Sequence, residues 1–247
     1  MRANWVLLLA IALPIGCADA PDHADLASLV ARHVAARGGA DAISRIETFE
    51  SDLRIEEPTF AVDGRYVATR DGRMRIDVSM DGTRVFTEAL DHGRSWSWSP
   101  DEGVSEGSPQ GSAALRHSIE FPFKLFGLHE MTARGHRLEL QGREVVGGID
   151  YHVLRLTLDD GFEVTYYLHP ESWLIERERT RRALHVDVDP TPEWIETVYS
   201  DYRPVGGVLF PHLQVEQKVE SGELLSTGTI SAIRLNAPLP EGRFSPP

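Results

Sequence analysis

The segment His185-Val186-Asp187-Val188-Asp189 has the residue types and spacing that best suit a metal site in this chain. In a strand, residues two positions apart lie on one face, so His185, Asp187 and Asp189 would point the same way. An imidazole and two carboxylates could hold zinc or another divalent ion and serve a metal-dependent hydrolase. However, Pro190-Thr191-Pro192 follows, where a solvated loop is expected, and such spacing is common in exposed polar loops. We therefore predict no metal and no cofactor, and we keep the hydrolase as the last of three hypotheses.

Other residues that could do chemistry lack a partner at a recognisable spacing. His117 lies within an apolar segment and His129-Glu130 follows it, which leaves a His117-centred hydrolytic site as a second form of the same hypothesis. A P-loop, an H-E-x-x-H motif and a C-x-x-C motif are absent from the sequence. The alternating charges from Glu176 to Arg182 are typical of ion pairs on a solvated strand face. The sequence therefore favours a protein that is not an enzyme.

Cys17 is the only cysteine, and it follows the apolar run from Trp5 to Gly16. That run is too short to span a bilayer, which needs about 20 residues, but it suits the core of an export signal. The sequence Leu13-Pro14-Ile15-Gly16-Cys17 resembles the lipobox of bacterial lipoprotein precursors, although Pro14 stands where leucine is usual. Acylation of Cys17 is the first interpretation, and ordinary signal cleavage after Ala18 is the alternative.

These features divide the chain into three predicted parts. Residues 1–16 would be a cleaved signal peptide, residues 17–23 a tether, and residues 24–247 a single domain. We expect export to the periplasm, with anchoring through Cys17 and the outer membrane as the favoured membrane. The formal net charge of -13 disfavours nucleic acid and anionic membrane surfaces as partners, so membrane contact would come from the anchor alone.

Alternating polarity predicts a mainly β (α+β) fold. Met74, Ile76 and Val78 alternate with polar residues, as do Trp96 and Trp98, so each strand should have one apolar face. Asp-Gly and His-Gly pairs, including Asp63-Gly64, predict hairpin turns. About ten or eleven antiparallel strands are expected after an N-terminal helix that ends at a Gly-Gly pair, which is more than a flat open sheet usually holds without curling.

The segment from Ser112 to Leu128 is rich in aromatic residues and is predicted to be a helix that Pro122 bends or restarts. It has the bulk to cover an apolar sheet face. If it covers the face only partly, a lipid-sized cavity remains. The predicted ligand contacts are then Trp96, Trp98, Leu115, Ile119, Phe121, Phe123 and Phe126. The alternative is that the same side chains fill a dry core.

Three local motifs, in this order, carry a family resemblance: Ala36-Arg37-Gly38-Gly39-Ala40, Tyr166-Tyr167-Leu168-His169-Pro170, and the stretch from Tyr202 to Pro211. Their arrangement resembles the LolA/LolB-like superfamily of periplasmic lipoprotein carriers and outer-membrane lipoprotein-sorting proteins. The resemblance implies a curved antiparallel half-barrel whose concave face is covered by helices and receives an acyl chain.

The first functional hypothesis is therefore a non-enzymatic cell-envelope lipoprotein. It would bind an apolar or acylated ligand, either a lipid or a lipoprotein, in the concave cavity. The second hypothesis is an interaction module with a filled core that engages an envelope protein partner.

Overall fold

The computed structural model describes residues 25–184 and 189–247. In these ranges, thirteen antiparallel strands form one curved sheet that does not close. The strands are β1 (Thr48–Glu56), β2 (Ala61–Thr69), β3 (Met74–Met80), β4 (Thr83–Asp91), β5 (Arg94–Ser99), β6 (Gly103–Glu106), β7 (Arg137–Val146), β8 (Ile149–Thr157), β9 (Glu163–Leu168), β10 (Ile175–Arg182), β11 (Glu193–Val205), β12 (Val208–Lys218) and β13 (Leu224–Leu235). The helices are α1 (Leu26–Arg37), α2 (Ala40–Ser44) and α3 (Pro109–Glu120), with a 3-10 turn at Leu128–Glu130.

The sheet consists of two meanders joined side by side. Its strand order is β6-β5-β4-β3-β2-β1-β13-β12-β11-β10-β9-β8-β7. The first and last strands of the chain, β1 and β13, pair in the middle of the sheet from Phe49↔Leu235 to Glu56↔Thr227. Strands β6 and β7 are consequently the two ends of the sheet. The chain segment that connects them contains α3. Because neighbouring strands in a sheet are twisted, so long a row of strands curves into a half-barrel.

The predicted mainly β half-barrel is confirmed, and the differences are local. The sheet has thirteen strands instead of ten or eleven. The pair Asp63-Gly64 lies inside β2, and the preceding turn is closed by the Glu57 amide, 2.9 Å from the Phe60 carbonyl. Gly64 is needed for space at this point, since a Cβ there would lie 3.0 Å from Leu53 Cδ2.

The helices begin and end where their sequences dictate. Asp25 caps α1 by accepting a hydrogen bond from the Ser28 amide at 2.7 Å, and Gly38 ends the helix with a φ of 123°. A Cβ on Gly38 would come within 2.1 Å of the Gly207 carbonyl oxygen. The end of α1 therefore touches the β11–β12 turn, and two of the three motifs behind the family resemblance meet there.

Helix α3 is shorter than the predicted helix from Ser112 to Leu128. The Ser108 side chain caps its start by accepting from the Gly111 amide at 2.9 Å, and Pro109 occupies the first turn. It ends at Glu120 because Phe121 precedes Pro122 and takes an extended conformation, with ψ of 141°. No helix in the described ranges has both the length and the apolar character needed to cross a membrane.

Candidate functional site

The sheet has an inner face toward the helices and an outer face away from them. On β3, Met74 and Ile76 pack into the main core, whereas Arg75 and Asp77 pair with each other on the outer face at 2.8 Å. The inner face also includes Ser95 of β5, whose hydroxyl lies 2.8 Å from that of Ser112 on α3. The site must therefore be sought on the inner face.

Helix α3 and the chain that follows it lie over the inner face, and we call them the cover. Buried Arg37 at the end of α1 connects the cover to the sheet. Its guanidinium donates to the carbonyl oxygens of Pro122 at 2.5 Å and Phe123 at 3.0 Å, and also to that of Phe126 at 3.3 Å. It lies over the Phe210 ring at 5.6 Å. Burial lowers the pKa of this guanidinium to about 10, so it stays charged at neutral pH. The chain after α3 is thus fixed over one half of the inner face.

Three of the predicted ligand contacts lie inside this covered half. Ile119, Phe123 and Phe126 are at most 7% exposed. The guanidinium carbons of Arg70 and Arg134 lie 4.7 Å and 3.6 Å from the centre of the Phe126 ring. The ring centres of Phe123 and Tyr199 are 4.2 Å apart. Leu115 and Phe121 are partly buried and pack against the same core. The structure brings these five residues together as packing.

Trp96 and Trp98 lie elsewhere. The register pairs Trp96 with Ala89 and Trp98 with Thr87, on the outer face. The Trp96 indole donates to the Phe244 carbonyl oxygen at 2.7 Å, and the Arg84 guanidinium lies 4.0 Å from the Trp98 ring. The C-terminal segment therefore covers Trp96, which is separated by the sheet from the other five predicted contacts.

The remaining half of the inner face is open along the first meander, and most of its partly exposed side chains are apolar, with Glu88 opposite Ile76 as an exception. Its side chains alternate with outer-face residues on β1, β3 and β4, and all are partly exposed, with Phe86 at 37%. In the strand registers, Leu53 is paired with Gly64, Ile76 with Tyr66, and Val78 with Phe86. We call this surface the open groove: Leu53, Ile55, Ile76, Val78 and Phe86.

On the second meander, the inner face carries polar side chains beyond the buried core. Arg182 of β10 pairs with Glu216 of β12 at 2.8 Å, and Gln214 fills the space left by Gly228, whose Cβ would lie 2.8 Å from Gln214 Cγ. The inner face is therefore amphipathic, with an apolar side and a hydrogen-bonding side.

Where the cover ends, Lys124 and Glu178 lie close enough to influence each other's ionisation. Burial lowers the pKa of Lys124, and burial raises the pKa of Glu178 to about 7. Sequence reasoning missed Glu178, because the charged run from Glu176 to Arg182 indicated a solvated strand face. Alternation was the available signal, since Glu178 shares its face with Thr180 and Arg182.

Of the hydrolytic candidates, the structure describes only Asp189 and His117. His185 and Asp187 lie outside the described residues, and the Asp189 carboxylate accepts from the Thr191 amide at 2.9 Å. His117 bonds the Asp160 carboxylate at 2.7 Å and stacks on Phe162 at 4.2 Å. Within residues 25–184 and 189–247, no three histidine, cysteine or acidic side chains are placed to hold a metal ion.

Two further pieces of possible chemistry are structural. His129, for which the sequence showed no partner, lies beside α1 with its ring nitrogens buried, and Glu130 accepts from Arg70 at 2.5 Å. Gly103-Val104-Ser105-Glu106-Gly107 matches the G-x-S-x-G pattern of hydrolase nucleophile elbows, which sequence reasoning did not single out. Ser105, however, lies within β6 without a positive φ, and the residues that line the cleft beside it include no histidine. This serine therefore lacks the geometry of a nucleophile elbow.

Comparison with solved structures shows what the fold resembles. A Vibrio parahaemolyticus domain described as an outer membrane lipoprotein-sorting protein has 12% identity and a TM-score of 0.58, covering 87% of this chain and 94% of that one. A LolA superfamily protein from Nitrosomonas europaea has 12% identity and a TM-score of 0.54, covering 87% and 96%. A DUF1329 family protein from Desulfovibrio piger has 14% identity and a TM-score of 0.57, covering 89% and 96%.

This chain therefore has the LolA-like half-barrel fold, as the motif resemblance predicted. No protein-family model matches the sequence. No curated protein matches it either. At these identities the likeness concerns the fold, and function must be argued from the inner face itself.

Proposed function

We propose that this protein is a non-enzymatic binding protein of the cell envelope. It holds an apolar or acylated ligand, a lipid or the lipid of a lipoprotein, on the inner face of the half-barrel. The chain is exported to the periplasm, and acylated Cys17 anchors it to a membrane, with the outer membrane favoured. A tether over residues 17–23 then leads to one domain over residues 24–247.

The observation that carries this proposal is the open groove. Apolar side chains from β1, β3 and β4 stay partly exposed on the concave side, although the cover buries other apolar side chains of that side. Contiguous exposed apolar surface of this kind marks a binding site in a soluble domain. The description of the Vibrio parahaemolyticus structure, which names lipoprotein sorting, supports the choice of an acylated ligand.

The test is native mass spectrometry of the protein extracted gently from its host, followed by binding of an uncharged apolar dye. Phe86→Asp places a charge in the open groove and should weaken dye binding by at least about tenfold, because apolar contact is lost and a charge must be desolvated. Val104→Asp is the matched control, since Val104 is also exposed but lies on the outer face beside Trp98. Equal binding by both variants, or wild-type protein that never retains lipid or dye, would refute the proposal.

A second candidate function is the envelope interaction module. The observation that favours it is the filled half of the half-barrel, where Ile119, Phe123 and Phe126 are core residues. Under this alternative, an edge or a loop engages a protein partner and the open groove stays empty. Crosslinking in the native envelope that captures one defined protein, together with a ligand-free mass, would favour this candidate over the first.

A further inference from the structure

A group of polar side chains lies between the cover and the inner face, and two of its members are tyrosines whose rings belong to the core. Lys124 belongs to the chain that follows α3. Glu178 of β10 is directly opposite Tyr166 of β9 in the strand register. Tyr199 of β11 completes the group, and its side chain favours the ionised form of Glu178. These four residues are called the inner polar cluster.

The inner polar cluster has hydrogen-bonding capacity that the protein leaves unused. Glu178 is 6% exposed and Tyr166 is 0% exposed, yet Glu178 Oε2 and the Tyr166 hydroxyl have no hydrogen-bond partner. Lys124 Nζ donates to the Ser118 carbonyl oxygen at 3.3 Å, a long bond that leaves N–H groups available. Buried polar atoms are nearly always bonded, so these require an explanation.

The cluster is also continuous with the open groove. Lys124 is only half-buried, and its ammonium lies 5.1 Å from the centre of the Tyr66 ring. Tyr66 pairs with Ile76 of the open groove in the register of β2 and β3. A ligand whose head reaches Lys124 can therefore extend its tail past the Tyr66 ring to Ile76, which has Glu88 opposite it on the same face.

The groups around Glu178 influence its pKa in opposite directions. On its own strand Arg182 favours the carboxylate, and Arg182 is itself paired with Glu216 of β12 at 2.8 Å. Burial is the largest influence and raises the pKa of Glu178 to about 7, with Glu216 acting in the same direction. The Tyr199 side chain and Lys124 oppose this rise in pKa. From β9, Tyr166 faces Glu178 as a neutral phenol, because burial keeps its pKa high.

We propose that the inner polar cluster binds the carboxylate head of a long-chain fatty acid whose tail lies in the open groove. The inference rests on the proposed function, and it names the head group that this groove selects. Lys124 supplies the positive charge, and Tyr166 supplies a free hydroxyl donor. Protonated Glu178 adds a third donor, whereas ionised Glu178 repels the ligand.

The experiment measures displacement of N-phenyl-1-naphthylamine by dodecanoate and by uncharged 1-dodecanol at about pH 6 and about pH 8, where dodecanoate is ionised. Wild-type protein should prefer dodecanoate by about tenfold at the lower pH and less at the higher pH. Glu178→Gln cannot ionise, so it should keep its preference at both pH values. Lys124→Met should lose the preference at both, while dodecanol still displaces the dye.

The outcomes separate this inference from the proposed function. If wild-type protein binds the dye and treats dodecanoate and dodecanol alike, the inference is wrong and the proposed function survives. The same holds if Glu178→Gln keeps the wild-type pH dependence, a result that would assign the unbonded atoms to ordered water. If neither the dye nor dodecanol binds, the proposed function itself fails. Thermal melts check that Glu178→Gln and Lys124→Met are folded. If only one of them folds, its dodecanoate preference alone tests the inference.

Discussion

At the scale of single residues, Arg37 shows how a charge can be structural. Its guanidinium satisfies the carbonyl oxygens of the irregular chain after α3, which has no helix or strand partner to do so. An arginine suits this place because its planar group offers several donors in fixed directions. The positive charge is tolerated because the carbonyl dipoles and the Phe210 ring surround it.

We therefore expect Arg37→Met to destabilise the fold by about 3 kcal/mol or more, because several buried carbonyl oxygens lose their donor at once. Urea unfolding followed by circular dichroism measures the change. Arg137→Met is the control, since the Arg137 side chain is 63% exposed, and it should cost less than about 0.5 kcal/mol. Equal costs for the two variants would contradict this account of Arg37.

At the scale of elements, the C-terminal segment after β13 crosses the outer face and shields Trp96. Arg243 pairs with Asp77 at 3.0 Å, and Phe244 is 4% exposed beneath the Arg73 guanidinium. This segment supplies the outer face of β3 to β5 with a local core of its own.

Phe244→Ala should loosen this segment and expose Trp96 to water, which shifts the tryptophan emission to longer wavelength. The same comparison in a Trp96→Phe background isolates the signal from the other tryptophans, and there the shift should vanish. Phe60→Ala, at a side chain that is 43% exposed, is the control and should leave the spectrum unchanged. A shift that persists without Trp96 would show that the segment shields another part of the sheet.

Alternation predicted the strands well but could not say which face is inner. In β5, serines and tryptophans alternate as Ser95-Trp96-Ser97-Trp98, and the apolar face was assumed to be the inner one. Tertiary contacts reverse this assignment, since Ser112 of α3 bonds Ser95 and the distant Phe244 covers Trp96. For β3 the same assumption succeeded, because its inner face is the apolar one.

The inner polar cluster was unpredictable for a related reason. Its members come from three strands and from the chain after α3, and only the folded sheet brings them together. In the sequence, Glu178 belongs to a run of alternating charges that is typical of a solvated face. The half-barrel curvature buries one side of that run, which no local pattern records.

At the scale of the whole molecule, α3 bridges the opening between the two ends of the sheet. It packs on β4 and β5 of the first meander. It is also bonded to the β8–β9 turn of the second, where Arg116 pairs with Asp159 at 2.8 Å and with Asp160 at 2.6 Å. His117 adds its bond to Asp160. This arrangement does for the open half-barrel what a closing strand pair would do in a barrel.

The contact between α3 and the β8–β9 turn should weaken at low pH. Burial opposes ionisation of Asp160, but the His117 and Phe162 hydrogen bonds and the Arg116 charge outweigh it and lower the pKa to about 2. A depressed carboxyl pKa stabilises the fold above its unfolded value of about 3.9, and this stabilisation is lost as pH falls toward the folded value. Wild-type protein should therefore lose more stability between about pH 5 and about pH 2 than Asp160→Asn does.

Hydrogen exchange of the α3 amides over this range tests whether the loss is local. The carboxylate neutralised in Asp160→Asn pairs with both Arg116 and His117 of α3, so this variant should exchange faster than wild type in α3 at neutral pH. Asp150→Asn is the control, because the Asp150–Arg143 pair lies in the β7–β8 hairpin, away from α3. If α3 stays equally protected in both variants, packing on β4 and β5 alone holds the helix, and the opening is closed from one side only.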